Sequence, residues 1–297
     1  MSRVAVLATV GITLFGLVYS LLKVNLGKSA SPVEYFSLAI LSAFVLCVLR
    51  FYLTKYILEP IGEAIIKDTS AARTMKVPKF GSCVFKAGFF LVISYFEYLL
   101  LSNQDFTPSW LFGSGNTVNL WTENYVMPVD LISVFMGSLG YHLHSTVYHC
   151  FFVDRRGDFG EMLLHHALTL WLMVLSYIEG YSRIGLLIVF LNDVPDIFVY
   201  LTKTLGDTPY VKASIASYIG LVVSYFYFRL VVFPVSLLPS LLYESNFTPT
   251  GRVLYIGFLG SLTLLHAYWF ALIVRIGINI ATTGSRRDIT VDRKKSN

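Results

Sequence analysis

Charge is what this sequence has least of. Only 14% of its 297 residues are Asp, Glu, Lys or Arg, against about 25% in ordinary soluble domains. A chain this poor in charge argues against a soluble globular enzyme, and its 55% hydrophobic content excludes disorder over most of its length. Cysteine is scarce as well. Cys47, Cys83 and Cys150 are the full set. Three is an odd number and all lie in or beside apolar runs, so they imply neither a disulfide framework nor a zinc site. Several catalytic signatures are missing. The HExxH box of zinc proteases, the spaced HxxxH and HxxHH boxes of membrane di-iron oxygenases and the GxSxG elbow of serine hydrolases do not occur. There is no internal repeat and no low-complexity tract.

What the chain has instead is long apolar runs, with a mean hydropathy of +0.65. A spanning helix needs about 20 mostly apolar residues. Eight stretches qualify: 4–22, 34–53, 82–101, 127–149, 160–179, 183–203, 211–234 and 253–276. The expectation is an all-α polytopic membrane protein of about eight transmembrane helices. Arg3 before an apolar run resembles a signal peptide, but the run is long for a signal core and no small-x-small site closes it, so 4–22 is read as a retained span.

The net charge of +5 does not point to nucleic acid, because the basic residues sit at span ends rather than on one face. With the N-terminus in the cytosol and all eight spans crossing, fifteen Lys and Arg fall on the cytosolic side and four on the other, as the positive-inside rule requires. Both termini are then cytosolic. Asn246-Phe-Thr248 is a candidate glycosylation sequon in a loop on the opposite side. Residues 1–53 form the N-terminal spans. The stretch 54–81, with Ile57, Leu58, Ile61, Ile65 and Ile66 at near-helical spacing, reads as a cytosolic amphipathic linker on the membrane surface. Residues 82–276 form the main membrane domain and 277–297 a basic cytosolic tail. The tail ends Lys294-Lys295-Ser296-Asn297, which looks like a dilysine retrieval signal and so points to the endoplasmic reticulum membrane.

All six histidines, His142, His144, His149, His165, His166 and His266, fall in predicted spans. Ionisable residues at membrane depth are costly and mark functional sites. Two adjacent spans carry the densest group: His165 and His166 near the start of one, Asn192, Asp193 and Asp196 inside the next. A connection of about three residues makes these helices antiparallel neighbours. His165 lies about 7–8 Å from its end of the span and Asp196 about 10 Å from the same end, at 1.5 Å per residue. Asp193 and Asp196 are spaced i,i+3 and share a face. Thr169 lies one turn beyond His165, and His142, Ser145 and His149 form a stripe that reaches the same depth. Two carboxylates there need partners to stay ionised, and imidazoles are the available ones. A carboxylate that orients a histidine suits it to act as general base or nucleophile. A buried polar network that only fixes helix register, and a metal site built from His and Asp, are the competing readings.

These residues also carry a resemblance. Asp158-Phe-Gly-Glu-Met-Leu-Leu-His-His-Ala-Leu-Thr169, Leu175-Ser-Tyr177, Arg183-Ile-Gly185, Asn192-Asp-Val-Pro-Asp196 and Lys203 resemble the Lag1 motif of ceramide synthases, within the TLC-domain superfamily. Lys79-Phe80, Phe85-Lys86 and Pro108-Ser-Trp110 upstream, and Arg229-Leu-Val-Val-Phe-Pro234 and Leu264-Leu-His-Ala-Tyr-Trp269 downstream, are similar to that family too. The resemblance covers roughly 50–276 and implies a six-helix, barrel-like bundle around an intramembrane polar site. It implies an acyltransferase that joins a fatty acyl group from acyl-CoA, a co-substrate rather than a cofactor, to the amine of a sphingoid long-chain base. Within it His165, His166, Asp193 and Asp196 correspond to the essential residues, with Asn192, Thr169, His142, Ser145, His149 and Arg183 in support. Arg155, Arg156, Lys203 and Lys212 ring the cytosolic mouth and could attract the CoA phosphates, or simply obey the positive-inside rule. A homodimer is a family-level expectation. The chain departs from the family at Asn192, where a histidine is usual; asparagine cannot take a proton at neutral pH. That departure motivates the alternative, a non-catalytic TLC-domain protein that handles lipid or serves a membrane assembly.

Overall fold

The computed structural model describes residues 34–283 apart from 69, 71, 122–126 and 153–157. The expected span 4–22, Arg155, Arg156 and the dilysine tail lie outside the described residues. Seven helices run through the rest: α1 (Phe36–Ile65), α2 (Arg73–Leu101), α3 (Val129–Phe152), α4 (Phe159–Ile178), α5 (Ser182–Leu205), α6 (Val211–Tyr243) and α7 (Pro249–Thr283). There is no strand among the described residues, and short 3-10 turns at Ser109–Leu111 and Thr117–Trp121 lie between α2 and α3.

Six of these helices are long and apolar enough to cross a membrane: all but α3. The count of eight is therefore not reached among the described residues. α3 coincides with the expected span 127–149, yet its histidines, serines and Asp130 dilute its hydropathy. Its polar stripe is turned inward, with Ser138, His142, His144, Ser145 and His149 all buried. The outer surface is the reverse. Leu91, Val92 and Tyr95 of α2, Ile215, Ile219 and Val223 of α6, and Leu264 and Ile278 of α7 are exposed. A soluble protein does not leave so much apolar surface in water; lipid is the solvent this surface fits. The protein is an all-α polytopic membrane protein.

The helices close into a ring. α2 packs on α3, α3 on α4, α4 on α7, α7 on α6, α6 on α5, and α5 back on α2, while α1 lies outside the ring along α3. α5 is the most deeply buried span. The short connection expected between α4 and α5 is present and has a local cause. Tyr181 N–H donates to the Ser176 carbonyl at 2.7 Å and Gly180 N–H to the Tyr177 carbonyl at 3.2 Å. That pair of bonds is a Schellman motif, which needs a left-handed residue, and Gly180 supplies it at φ +80.

The linker expected at 54–81 is mostly helix. α1 runs on through a widened turn at Thr54–Leu58 to Ile65, and α2 already begins at Arg73. The apolar spacing there continues the helix, and its tip packs Ile66 against Val77 and Phe80 of α2. In this extension Lys55 and Glu63 are exposed, while the side chain of Glu59, which pairs with Lys55 at 3.0 Å, is turned towards α2 near Gly81.

The α1–α3 contact depends on small side chains. A Cβ at Gly140 would collide with Ser42 and with the backbone of Ala39 and Ala43, whereas one at Gly137, a turn away on α3, would meet nothing within 4 Å. Small residues let membrane helices approach closely. Gly140→Val is therefore expected to destabilise the fold by about 1–3 kcal/mol, read as a lower Tm in detergent. Gly137→Val is expected to stay within about 0.5 kcal/mol of the wild type. Equal Tm values for the two variants would count against the close α1–α3 packing.

Candidate active site

Three stripes converge inside the ring. On α5, Ile184, Gly185, Ile188, Val189, Asn192, Asp193 and Asp196 face one way; on α4, His165, Thr169, Leu172, Met173 and Ser176; on α7, Tyr255, Leu259 and Leu262. Each stripe repeats at three and four residues, so each is one helix face. With His142 of α3, Leu241 of α6 and Trp121, they line one cavity. Its lining on α5 spans about 18 Å of axis at 1.5 Å per residue.

The two ends of this cavity differ in chemistry. His142, His165, Asn192, Asp193 and Asp196 cluster at the end where α4 begins and α5 finishes. His142 Nε2 lies 3.9 Å from Asp193 Oδ1. Asp193 is 0% exposed, and neither carboxylate oxygen has a hydrogen-bond partner among the described residues. His165 packs edge-on against the Trp269 ring at 5.2 Å. His166 stands 5.7 Å from His165 and 5.4 Å from His149, centroid to centroid. His149 Nε2 in turn contacts the Phe159 carbonyl at 3.2 Å. A row of three imidazoles thus runs from the cavity wall towards the start of α4, and only His165 of the three lines the cavity.

Asp193 and Asp196 do not share their partners. Imidazoles were expected to balance both, but Asp196 Oδ1 accepts from Arg229 Nη2 of α6 at 2.6 Å. The same nitrogen donates to the Asn192 carbonyl at 2.6 Å, and the guanidinium lies 4.6 Å from the Tyr225 ring centroid. Arg229 is 3% exposed. It is the site residue the sequence reading missed, although a lone arginine in an apolar span, one helix away from two aspartates, signals a paired charge. α6 brings it there through a π-helical stretch, Phe226–Leu237, which contains Pro234; wide turns of this type concentrate at functional sites. Asn192 donates from Nδ2 to its own helix, at the Ile188 carbonyl 2.8 Å away, and its Oδ1 has no partner among the described residues.

The other end is lined by aromatic side chains held in place by hydrogen bonds. Trp121 Nε1 donates to Ser240 Oγ at 2.5 Å, and Ser240 Oγ to Glu244 Oε2 at 2.8 Å. Tyr255 donates its hydroxyl to Glu179 Oε2 at 3.0 Å, and its ring stacks on Phe247 at 4.5 Å. Arg183, expected to support the polar site, stands at this end instead. It donates to the Asn119 carbonyl, lies 4.0 Å from Asp105, and so fastens the α2–α3 connection over the cavity.

Of the other expected residues, Thr169 lines the cavity, while Ser145 is buried on α3 outside it. Lys203 and Lys212 are exposed at the polar end, and Asn246 is exposed between α6 and α7. Among the described residues no three His, Cys, Asp or Glu side chains group closely enough to hold a metal.

Comparison with known proteins gives this arrangement a family. The chain is 28% identical over 260 residues to ASC1-like protein 1 of rice, covering 82% of this chain and 84% of that one. It is 27% identical over 281 residues to ceramide synthase 1 LOH3 of Arabidopsis thaliana, covering 88% and 91%. It is 31% identical over 175 residues to human ceramide synthase 1, covering about half of each chain, 54% and 50%. The TLC-domain family profile matches residues 79–275, well over half of the sequence, and so the chain belongs to the TLC-domain family.

Proposed function

We propose that this protein is a ceramide synthase-type N-acyltransferase of sphingolipid biosynthesis. In this reading it moves a fatty acyl group from acyl-CoA to the amine of a sphingoid long-chain base at the endoplasmic reticulum membrane. The observation that carries the reading is the polarity of the cavity: imidazoles and a buried carboxylate at one end, an apolar tube at the other. An acyl chain would lie in the tube with its thioester at the histidines. The names of the Arabidopsis and human relatives support the same chemistry.

The residues divide the work. A sphingoid amine is protonated in water and must lose a proton before it attacks. His165, the cavity-facing member of the imidazole row, takes that proton or first accepts the acyl group itself. On the direct route the amine nitrogen bonds to the acyl carbon as the carbon–sulfur bond breaks; on the covalent route the carbon–sulfur bond breaks when the imidazole is acylated, and the acyl–imidazole bond breaks when the amine attacks. On either route the protonated amine gives up two protons, one ending on the CoA thiol and one on the histidine. Asp193 beside His142 favours the imidazolium that forms. Asp196 is held by Arg229 and acts through it to fix the helix that carries Asp193. Asn192 is bonded to its own helix, so a histidine there is not needed for proton transfer in this reading. Lys203 and Lys212 stand at the mouth on the polar end, where phosphates of CoA would arrive.

In detergent, with C16 to C26 acyl-CoAs and a long-chain base, the wild type is expected to make ceramide, detected by mass spectrometry. His165→Ala is expected to lower the rate by about 10²–10⁴-fold without lowering Tm; an unchanged rate would remove His165 from the mechanism. Asn192→His is the companion variant. A silent wild type that gains activity with this change would overturn the reading of the natural chain as an enzyme. Replacing Trp121 by Ala opens the aromatic end and is expected to shift the ceramide products towards longer acyl chains in a competition among the same acyl-CoAs. An unchanged product distribution would show that Trp121 does not set the length.

A further inference from the structure

The polar end of the bundle carries a second cluster of charge that, Lys203 apart, the transfer chemistry does not use. It lies among α1, α2, α3 and α5. Its members are Arg50, Lys86 and Lys203 with Tyr148, Tyr200 and His144. Lys86 and Ser82 are spaced i,i+4 on α2 and share a face. Arg50 Nη2 donates to Ser82 Oγ at 2.8 Å, and its guanidinium lies 3.5 Å from the Tyr148 ring centroid. Lys86 Nζ donates to the Tyr200 hydroxyl at 3.5 Å and lies 4.9 Å from that ring's centroid. Lys203 Nζ approaches the same ring at 5.8 Å. Two cations, Lys86 and Lys203, therefore meet at Tyr200, and Arg50 joins them from α1 through Ser82 and Tyr148.

Their charge is not balanced locally. Arg50, Lys86 and Lys203 form no ion pair with a carboxylate among the described residues, and Asp196 of α5 is already held at 2.6 Å by Arg229. Nearer the end of the bundle the pattern is the opposite. Lys76 pairs with Asp68 at 2.6 Å, and Lys79 with Asp207 at 3.1 Å. The outer basic residues have their anions, and the inner ones have none among the described residues. Two buried groups facing this cluster are also without partners there: Arg50 Nη1, on a side chain 5% exposed, and both ring nitrogens of His144, 4% exposed. A buried cation with no counter-ion costs several kcal/mol. Chemistry that compensates the buried Arg50 together with the half-buried Lys86 and the exposed Lys203, and supplies acceptors for a guanidinium, an ammonium and an imidazole, is that of a phosphate.

We propose that Arg50, Lys86 and Lys203, with His144 and Tyr200, form a seat for a phosphate or diphosphate group. Under the acyl-transfer reading the phosphates of acyl-CoA fill it, and which phosphate binds is the only part that rests on that reading. A phospholipid headgroup from the bilayer offers the same chemistry from another source.

The test is binding, not turnover. Coenzyme A without an acyl chain is titrated into the purified full-length protein in detergent, and dioleoyl phosphatidic acid is added in mixed micelles as a second arm; both are read by the shift in Tm. Lys86→Met is expected to weaken binding by about tenfold or more, as loss of a charge-assisted hydrogen bond implies. Lys86→Arg is expected to keep it. Lys79→Met, at the paired outer position, is expected to bind as the wild type does. A loss seen with coenzyme A assigns the seat to the nucleotide; a loss seen only with phosphatidic acid assigns it to the headgroup. If Lys86→Met and the wild type bind both probes equally, or neither probe shifts the wild-type Tm, the seat is overturned. Ceramide formation by the wild type, measured on the same preparation, separates this from failure of the acyl-transfer reading. A protein can transfer acyl groups with no such seat, or bind phosphate at Lys86 with no transfer.

Discussion

The buried ion pair between Asp196 and Arg229 is the constraint on which the site depends. Each charge alone at membrane depth would cost several kcal/mol. Together, and with the Asn192 carbonyl as a second acceptor for the same guanidinium, they tie α6 to α5 at one rotation. Residues three apart on a helix are separated by about 60° around its axis. Holding Asp196 against α6 therefore leaves Asp193 turned aside, into the cavity and towards His142. A pair of this kind is weak evidence for net stability, since apolar residues of the same size often serve as well. Its value here is orientation: both carboxylates line the cavity, and the pair decides which of them is neutralised by arginine and which is left beside His142. The wide turns of Phe226–Leu237 belong to the same device, because a regular α-helix through Pro234 would lose a backbone bond and meet a steric clash.

What could be read from the sequence follows from distance along the chain. The α4–α5 hairpin was legible because its connection is short: His165 and His166 had to lie beside Asn192, Asp193 and Asp196, and the helix rise gave their common depth. The same logic found the stripe His142, Ser145, His149, though only His142 of it reaches the cavity. Arg229 was not assigned because the choice of its helix neighbour is a property of the ring, and ring order is not written in any local pattern. Trp121 and Tyr255 were missed for a related reason. An aromatic residue near the end of a span looks the same whether it faces lipid or plugs a cavity. Arg183 shows the opposite error. It belongs to the motif that carried the resemblance, yet the hairpin turn puts it at the far end of α5 from the aspartates. Motif residues close in sequence need not serve one site.

The aromatic end explains how an apolar tube can end within a membrane protein without leaving polar groups unsatisfied. The indole N–H of Trp121, the Ser240 hydroxyl and the Glu244 carboxylate are linked in a chain, and Tyr255 is tied to Glu179. Each apolar ring thus presents its face or edge to the tube while its polar atom bonds away from it. Aromatic residues with a polar tip are suited to such a boundary. Arg183 then fixes the connecting segment from outside, through the Asn119 carbonyl and Asp105. An end wall bonded at several points is stiff, and a stiff wall can measure a chain where a loose one could only cover it.

Where polar groups are left without partners is itself informative. Most hydroxyls in the spans are satisfied by their own helix: Thr146, Ser176, Thr204, Ser224 and Thr263 all donate to a carbonyl three or four residues earlier. This is the inexpensive solution for a short polar side chain in a helix. Thr54 and Ser94 depart from it. The stronger groups behave differently. Both oxygens of Asp193, Nδ1 of His165 and of His166, both nitrogens of His144 and Nη1 of Arg50 have no partner among the described residues, although burying an ionisable group is the costlier choice. Selection for stability alone would have removed these groups or paired them, as it paired Lys76 and Lys79 nearer the end of the bundle. These fall in two places, the polar end of the cavity and the space between α1, α2, α3 and α5; both ring nitrogens of His266 on α7 and Oε2 of Glu97 on α2 are also without a partner among the described residues. A membrane helix bundle that satisfies its weak polar groups locally and leaves its strong ones open is arranged to complete those interactions with something other than itself.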